Sequence, residues 1–372
     1  MTRLSADNTY RLHLVGGFLG SGKTTAIIAA AKALMKRGVR VGVVTNDQGK
    51  YLVDTAFFKL SDLPTVEVNG GCFCCNYNDL EKQIHTLERQ AKPDIIFAES
   101  VGSCADLVAT VIKPLLQLRQ TAYIPASLSV FTDARLLRLR LKDLPLPFSD
   151  NVIYIFNQQI EEADLLIINK IDLVSLPIQQ ELIESARQRY PTKEIIGQNS
   201  LAPDGITAWL NRIENRNSMY PIVPLSIDYQ RYGAGEAQLA WLDETLIISV
   251  PAEHARATLI ESINDILANL TARKITIGHL KFLVSSNAGP DIKLSFTTIE
   301  TPKWDENLPS LHSGEIHLMV NARVEMEAQA LRILINNCFE QAARKFGGSM
   351  HIEQSDAFHP KFPQPTYRIL DS

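Results

Sequence analysis

Cys72, Cys74 and Cys75 crowd into four positions directly after Gly70 and Gly71, in a chain with two other cysteines, Cys104 and Cys338. A structural zinc site takes four ligands from two separated pairs, so a C-x-C-C cluster is either one ligand short or left open. Neighbouring residues of a regular strand face opposite sides, so the three thiols converge only if the chain turns after the glycine pair. Converged, they suit a borderline or soft ion, with a fourth position for water, a carboxylate or a client's ligand. Buried thiols that hold no ion, and a redox switch, are the competing readings.

A second constellation is "GGFLGSGKTT", which contains G-x-x-x-x-G-K-T between an apolar run and a helical pattern. In that setting the backbone from Gly20 through Ser21 and Gly22 to Lys23 cradles phosphates at a helix N-terminus, with Thr25 in the same turn. Lys23 neutralises the β and γ oxygens as a catalytic cation, and the Thr24 hydroxyl holds magnesium. In "NKID", Asn169, Lys170 and Asp172 follow a buried strand, and a carboxylate at Asp172 accepts the two N–H donors of guanine that adenine lacks. Glu99 ends the apolar run "DIIFAES", where it can hold magnesium or orient the attacking water, and Gly102 lets backbone approach the γ-phosphate. Asp47, in "TNDQGK", is a further candidate for positioning magnesium or water.

These residues need a scaffold that brings them to one edge. The runs "YRLHLV", "VRVGVVT", "TVEV", "DIIFAES", "SLSVFTD", "DLLIINK" and "EIIG" alternate with helical stretches, the first from about Thr24 to Arg37. That alternation predicts an α/β fold of the P-loop NTPase kind, a mostly parallel sheet with helices on both faces. Ligands of such sheets sit beyond the C-terminal strand ends, where the unusual residues cluster. Residues 1–225 form this domain, 226–240 read as a linker, 241–356 as a smaller α+β domain, and 357–372 as an extended proline-rich tail.

In the α+β domain, strands "GHLKFLV", "EIHLMVN" and "MHIEQ" alternate apolar residues with His279, His317 and His351. With the apolar sides against two helices, all three histidines fall on the other face of the sheet, expected to be open. Cys338 shares a helical face with Leu331, Leu334, Ile335 and Ala342, so it belongs to the core. Cys104, near a helix start, reads as a small buried residue.

Together "GGFLGSGKTT", "NGGCFCC", "ESVGSCADL" and "NQQIEEADLLIINKIDL" resemble the CobW-type GTPases and metallochaperones, relatives of the nickel-maturation GTPases of urease and hydrogenase. The resemblance covers most of residues 10–175. It implies GTP binding, slow GTP hydrolysis, binding of zinc, cobalt or a similar ion at the cysteines, and delivery to a client metalloenzyme or cobalamin-dependent enzyme. Two departures stand out: "NDQGK" puts Lys50 where relatives often carry an acid, and the second half lacks their histidine-rich loop. A P-loop phosphotransferase, and a nucleotide-gated client chaperone that carries no metal, are the alternatives.

The chain has 372 residues, 45% apolar and 21% charged, with a net charge of -4. That composition predicts a globular protein with no electrostatic pull toward nucleic acid. No apolar run is long enough to span a membrane, and the cysteine usage suits a reducing compartment, so a cytoplasmic location is expected. A homodimer is compatible with these features.

Overall fold

β2 (Val41–Asn46), β4 (Ile95–Glu99) and β6 (Leu165–Asn169) are buried at every residue, which requires cover on both faces of the sheet they share. The computed structural model describes residues 10–46, 48–49, 53–118, 123–215, 223–286, 289–299 and 304–370. Asp47 and Lys50 lie outside them.

With β1 (Tyr10–Gly17), β3 (Thr65–Val68), β5 (Tyr123–Asp133) and β7 (Glu194–Gly197), these strands make a seven-stranded sheet in the order β3-β2-β4-β1-β5-β6-β7. All of its pairings are parallel. Parallel neighbours need crossovers, and helices such as Lys23–Met35 and Tyr77–Ala91 supply them. The order places β1 between β4 and β5, so the loop leaving β1 opens at the central C-terminal edge.

A second sheet is antiparallel throughout: β8 (Ala240–Ser249), β9 (Ile277–Ser286), β10 (Ile292–Phe296), β11 (Glu315–Val324) and β12 (Ser349–Phe358), ordered β10-β9-β11-β8-β12. Its apolar face, with Leu280, Phe282, Leu318 and Val320, packs with Leu259 and Ile263 of helix Ala255–Ala272 and Leu331, Ile335 and Cys338 of helix Ala328–Lys345. One hydrophobic face with two amphipathic helices over it is the α+β arrangement that the period-2 pattern predicts.

The chain divides into two units, Met1–Gln48 with Phe58–Gly233 and Phe362–Ser372, and Gly49–Phe57 with Ala234–Lys361. Two segments thereby leave their sequence neighbours. Residues 49–57 join the antiparallel unit, and the tail from Phe362 rejoins the parallel one. Where a linker over 226–240 is expected, the chain forms a helix, Tyr229–Ala237.

Candidate nucleotide and metal site

The loop after β1 is shaped by glycine at the position where its backbone must turn left-handed. Gly22 has φ 89°, and a Cβ there would lie 2.5 Å from Asn169 Nδ2. That Asn169 amide donates to Ser21 O at 2.8 Å, so the first residue of the N-K-x-D motif braces the phosphate loop. Asn169 Oδ1 in turn accepts from Ser200 Oγ at 2.8 Å, which fixes the amide's orientation. Lys23 Nζ donates to Gly17 O at 2.6 Å and Phe18 O at 3.3 Å, holding the ammonium across the loop. Ser200 and its role are absent from the sequence reading, because nothing local marks a serine three residues past β7 as a brace.

Thr24 Oγ1 donates to Glu99 Oε1 at 2.8 Å, and both side chains are buried. The two groups expected at magnesium therefore meet directly. At Gly102 a Cβ would come within 2.7 Å of Leu19 Cδ2, so the connection after β4 lies against the phosphate loop. Gln159 Nε2 holds that connection by donating to Gly102 O at 3.0 Å and Cys104 O at 2.9 Å. Lys170 pairs with Asp133 at 3.2 Å, while Asp172 is exposed in the turn Ile171–Leu173.

The three cysteines do converge. After Gly70, with φ 76°, Cys75 N and Asn76 N donate to Cys72 O at 3.0 and 2.9 Å, a turn that ends in helix Tyr77–Ala91. Cys72 Sγ lies 2.8 Å from Cys74 Sγ and 3.3 Å from Cys75 Sγ, and the last two are 3.7 Å apart. Among the described residues they form a group suited to a metal ion, with ligand atoms within 4.8 Å of one another. Asn46, at the end of β2, organises the turn: its Nδ2 donates to Val68 O and Gly71 O, and its Oδ1 accepts from Phe73 N at 2.8 Å. The sequence reading singles out its neighbour Asp47 and passes over Asn46, although a buried amide at a strand end is the available signal.

Donation from Cys104, then Cys74 and Cys75, holds Cys72 well below the ordinary thiol range. Hydrogen bonding to Cys72 drives Cys74 well above that range and Cys75 up to about 12. Cys72 is thus the thiol of the three most biased toward its thiolate, with Cys74 and Cys75 as its S–H donors.

The tail from Phe362 runs over this turn. Gln364 N donates to Cys75 Sγ at 3.2 Å, Thr366 N to Cys74 O at 2.8 Å and Thr366 Oγ1 to Cys75 O at 2.9 Å. Tyr367 meets Tyr77 edge-on at 5.2 Å, and Arg368 Nε donates to Asp106 Oδ2 at 2.7 Å. An extended tail is legible in "FHPKFPQPTYRIL", but its docking on the cysteines is not.

Beside Asp106, Glu162 is buried and accepts from Val108 N at 2.5 Å. Burial pushes its carboxyl up to about 8. Because the folded value lies above the unfolded one, its contribution to stability is full below about pH 4.5 and is lost as pH rises through 8. Glu162→Gln keeps an acceptor for Val108 and cannot ionise. Thermal melts across pH 5 to 9 should therefore show the variant gaining on wild type as pH rises, by a few kcal/mol at the alkaline end at about 1.4 kcal/mol per unit of pKa shift. A pH-independent difference between the two proteins would refute the assignment.

Parity puts the three histidines on one side of the second sheet, since His317 and His351 both pair with Ile247, and His279 pairs with Arg323. That side is not open along its length. Val53 N donates to Asn321 Oδ1 at 2.8 Å, Asp54 forms ion pairs with Lys281 and with Lys293 at 2.8 Å, and Gly49 lies against Asp243. His279 is buried, His317 hydrogen-bonds Glu315, and His351 is exposed. Among the described residues they form no group suited to a metal.

A strand, a glycine loop and a helix that hold Lys23 across the loop and set Thr24 on Glu99, on the central edge of a parallel sheet, define a P-loop nucleotide-binding protein. The chain belongs to the CobW/HypB/UreG family, whose nucleotide-binding domain matches residues 11–197. The zinc chaperone YeiR of Escherichia coli (strain K12) is 32% identical over 203 residues, 52% of this chain and 57% of that protein. The zinc chaperone CobW of Sinorhizobium sp is 27% identical over 206 residues, 48% of this chain and 56% of its own. The match thus spans a little over half the length of these relatives. HypB from Helicobacter pylori, crystallised in complex with nickel, aligns over 57% of this chain and 91% of its own at 18% identity, with a TM-score of 0.42. Among the described residues no helix is long and apolar enough to cross a membrane.

Proposed function

We propose that this protein is a GTP-dependent metallochaperone: it binds and slowly hydrolyses GTP at the phosphate loop, carries a transition metal on Cys72, Cys74 and Cys75, and passes it to a client metalloenzyme or cobalamin-dependent enzyme. The observation that carries this reading is the convergence of three thiols within 4.8 Å of one another, on a turn pinned by the strand-end residue Asn46. A tetrahedral zinc–thiolate site has bonds of about 2.3 Å and hence sulfur–sulfur edges of about 3.8 Å. The separations of 2.8, 3.3 and 3.7 Å are close to that geometry, so the trio fits zinc or cobalt with small rotations. Zinc in the names of YeiR and CobW supports the same metal class.

Within the nucleotide site each residue has a distinct task. Amides from Gly20 to Lys23 bind phosphate oxygens, Lys23 leaves its carbonyl partners to neutralise them, and Asp172 accepts from guanine. Magnesium, which Thr24 and Glu99 would hold, supplies charge neutralisation of the phosphates. Asn169 keeps the loop in register through Ser21. Free thiols at the metal site suit a reducing cytoplasm.

Calorimetric zinc titration tests the proposal. Wild type should take up one zinc per chain, and the Cys72→Ala/Cys74→Ala/Cys75→Ala variant none. Zinc should also change GTP affinity by the factor by which GTP changes zinc affinity, because coupling is reciprocal. Absent stoichiometric uptake, or unchanged uptake in the triple variant, would sink the reading.

A further inference from the structure

In "PQPT", residues 363–366, the two prolines have no N–H, so amide donors occur only at Gln364 and Thr366. Both are spent on the cysteine turn. Gln364 N donates to Cys75 Sγ at 3.2 Å and Thr366 N to Cys74 O at 2.8 Å, while Thr366 Oγ1 donates to Cys75 O at 2.9 Å. Cys72 and Cys74 are buried and Cys75 is half-buried, so the segment crosses the turn at its most reachable sulfur. Both ends of the segment are tied down. A Cβ at Gly233 would come within 2.5 Å of the Phe362 ring, and beyond the turn Ile369 N donates to Ala109 O at 2.9 Å. Between them Arg368 Nε donates to Asp106 Oδ2 at 2.7 Å and Arg368 Nη2 to Leu225 O at 3.3 Å. Asp106 is fully buried, and the same oxygen accepts from Tyr229 Oη at 2.7 Å. The arginine contact is therefore a charged hydrogen bond to a buried carboxylate, stronger than the neutral bonds that join the segment to the turn.

We propose that residues 362–369 are a strap that closes the metal site, with Gln364 as a positioning residue for Cys75 and the Arg368–Asp106 pair as its latch. The inference rests on the reading of Cys72, Cys74 and Cys75 as a metal site and adds how that site keeps its ion. An amide N–H on a ligand sulfur orients it and offsets part of its negative charge, as outer-shell partners of metal ligands do. Lifting the strap removes that amide and uncovers Cys75 in one movement. The sulfur nearest solvent is then the first to yield to a competing ligand. The latch carboxylate belongs to the connection after β4, whose Gly102 lies against the phosphate loop, so the strap is fastened to the same connection that borders the nucleotide site.

Alkylation of the reduced, metal-free full chain by iodoacetamide, read residue by residue by mass spectrometry, tests the strap without reference to metal. Arg368→Ala should speed modification of Cys75 by roughly ten- to a hundredfold, the factor that one charged hydrogen bond contributes. Cys338, buried in the core of the other unit, should stay as slow as in wild type. Thr366→Val removes one neutral bond to Cys75 O and should speed modification of Cys75 by roughly two- to tenfold. Zinc loaded on the same proteins should pass to a chelator faster by similar factors. Equal Cys75 rates in wild type and Arg368→Ala overturn the strap, and faster alkylation with unchanged zinc release overturns its part in keeping metal. Wild type that takes up no zinc fails the metal reading itself, and the alkylation rates tell that failure apart from failure of the strap. If Arg368→Ala does not fold, as fast modification of Cys338 would reveal, hydrogen exchange in wild type decides. The amides of Gln364 and Thr366 should exchange at least about tenfold more slowly than in a free peptide of the same sequence, and exchange at the peptide rate overturns the strap.

Discussion

Lys23→Ala should lower GTP affinity by between about thirtyfold and several thousandfold, the range for truncating one partner of a desolvated charge pair. The side chain is buried, and its Nζ already sits within the loop on Gly17 O and Phe18 O. Its charge is therefore positioned before any phosphate arrives, and little entropy is lost on binding. The carbonyls of Gly17 and Phe18 lose a buried donor, so the fold should lose about 1–3 kcal/mol. Titration of a fluorescent GTP analogue reads the affinity, and a thermal melt reads the fold. The same titration with the ATP analogue measures guanine selectivity at Asp172. Binding within about threefold of wild type, less than 1 kcal/mol, would remove Lys23 from the phosphate site.

The nucleotide half was readable because its chemistry is local. Gly17 through Thr24 form one strand–loop–helix unit, and the apolar runs ending at Glu99 and Asn169 are short enough to be strands yet apolar enough to be buried. Seven such runs correspond to the seven strands of the parallel sheet. What escaped reading depends on contacts between residues far apart in sequence. Cys104 reads as a small buried residue, which it is, but nothing local shows that Gln159 holds its carbonyl. Gln364 and Thr366 look like part of an exposed end until they meet Cys75 and Cys74. Parity assigned His279, His317 and His351 to the side away from the helices, and it could not show that Val53 and Asp54 lie on that side against Asn321, Lys281 and Lys293. Even so, Lys281, Asn321 and Arg323, polar residues on alternating positions and two of them charged, were a signal: buried charges need partners, and Asp54 and Asp243 supply them.

Arg323→Ala should destabilise the antiparallel unit by about 3–5 kcal/mol, because it leaves a buried carboxylate without its cation. Arg323 Nη1 donates to Asp243 Oδ1 at 2.7 Å, and both side chains are wholly inaccessible to water. The guanidinium also lies 3.7 Å over the Trp241 ring and donates to Leu242 O at 3.3 Å and Ala322 O at 2.9 Å. Removing it therefore opens a cavity beside an aromatic ring as well as stranding Asp243. Asn321 Nδ2 donates to the same Asp243 oxygen at 2.8 Å while its own Oδ1 accepts from Val53 N at 2.8 Å. Through Asn321 the ion pair thus holds Val53, the first residue of helix Val53–Lys59. A double variant, Asp243→Leu with Arg323→Met, replaces the charges with apolar volume and should recover most of the loss, since buried pairs contribute little net stability over a packed apolar substitute. Chemical denaturation of the three proteins, with hydrogen exchange at residues 53–57, provides both readouts. Equal loss in the single and double variants would show that geometry at Arg323, and not charge compensation, holds this face together.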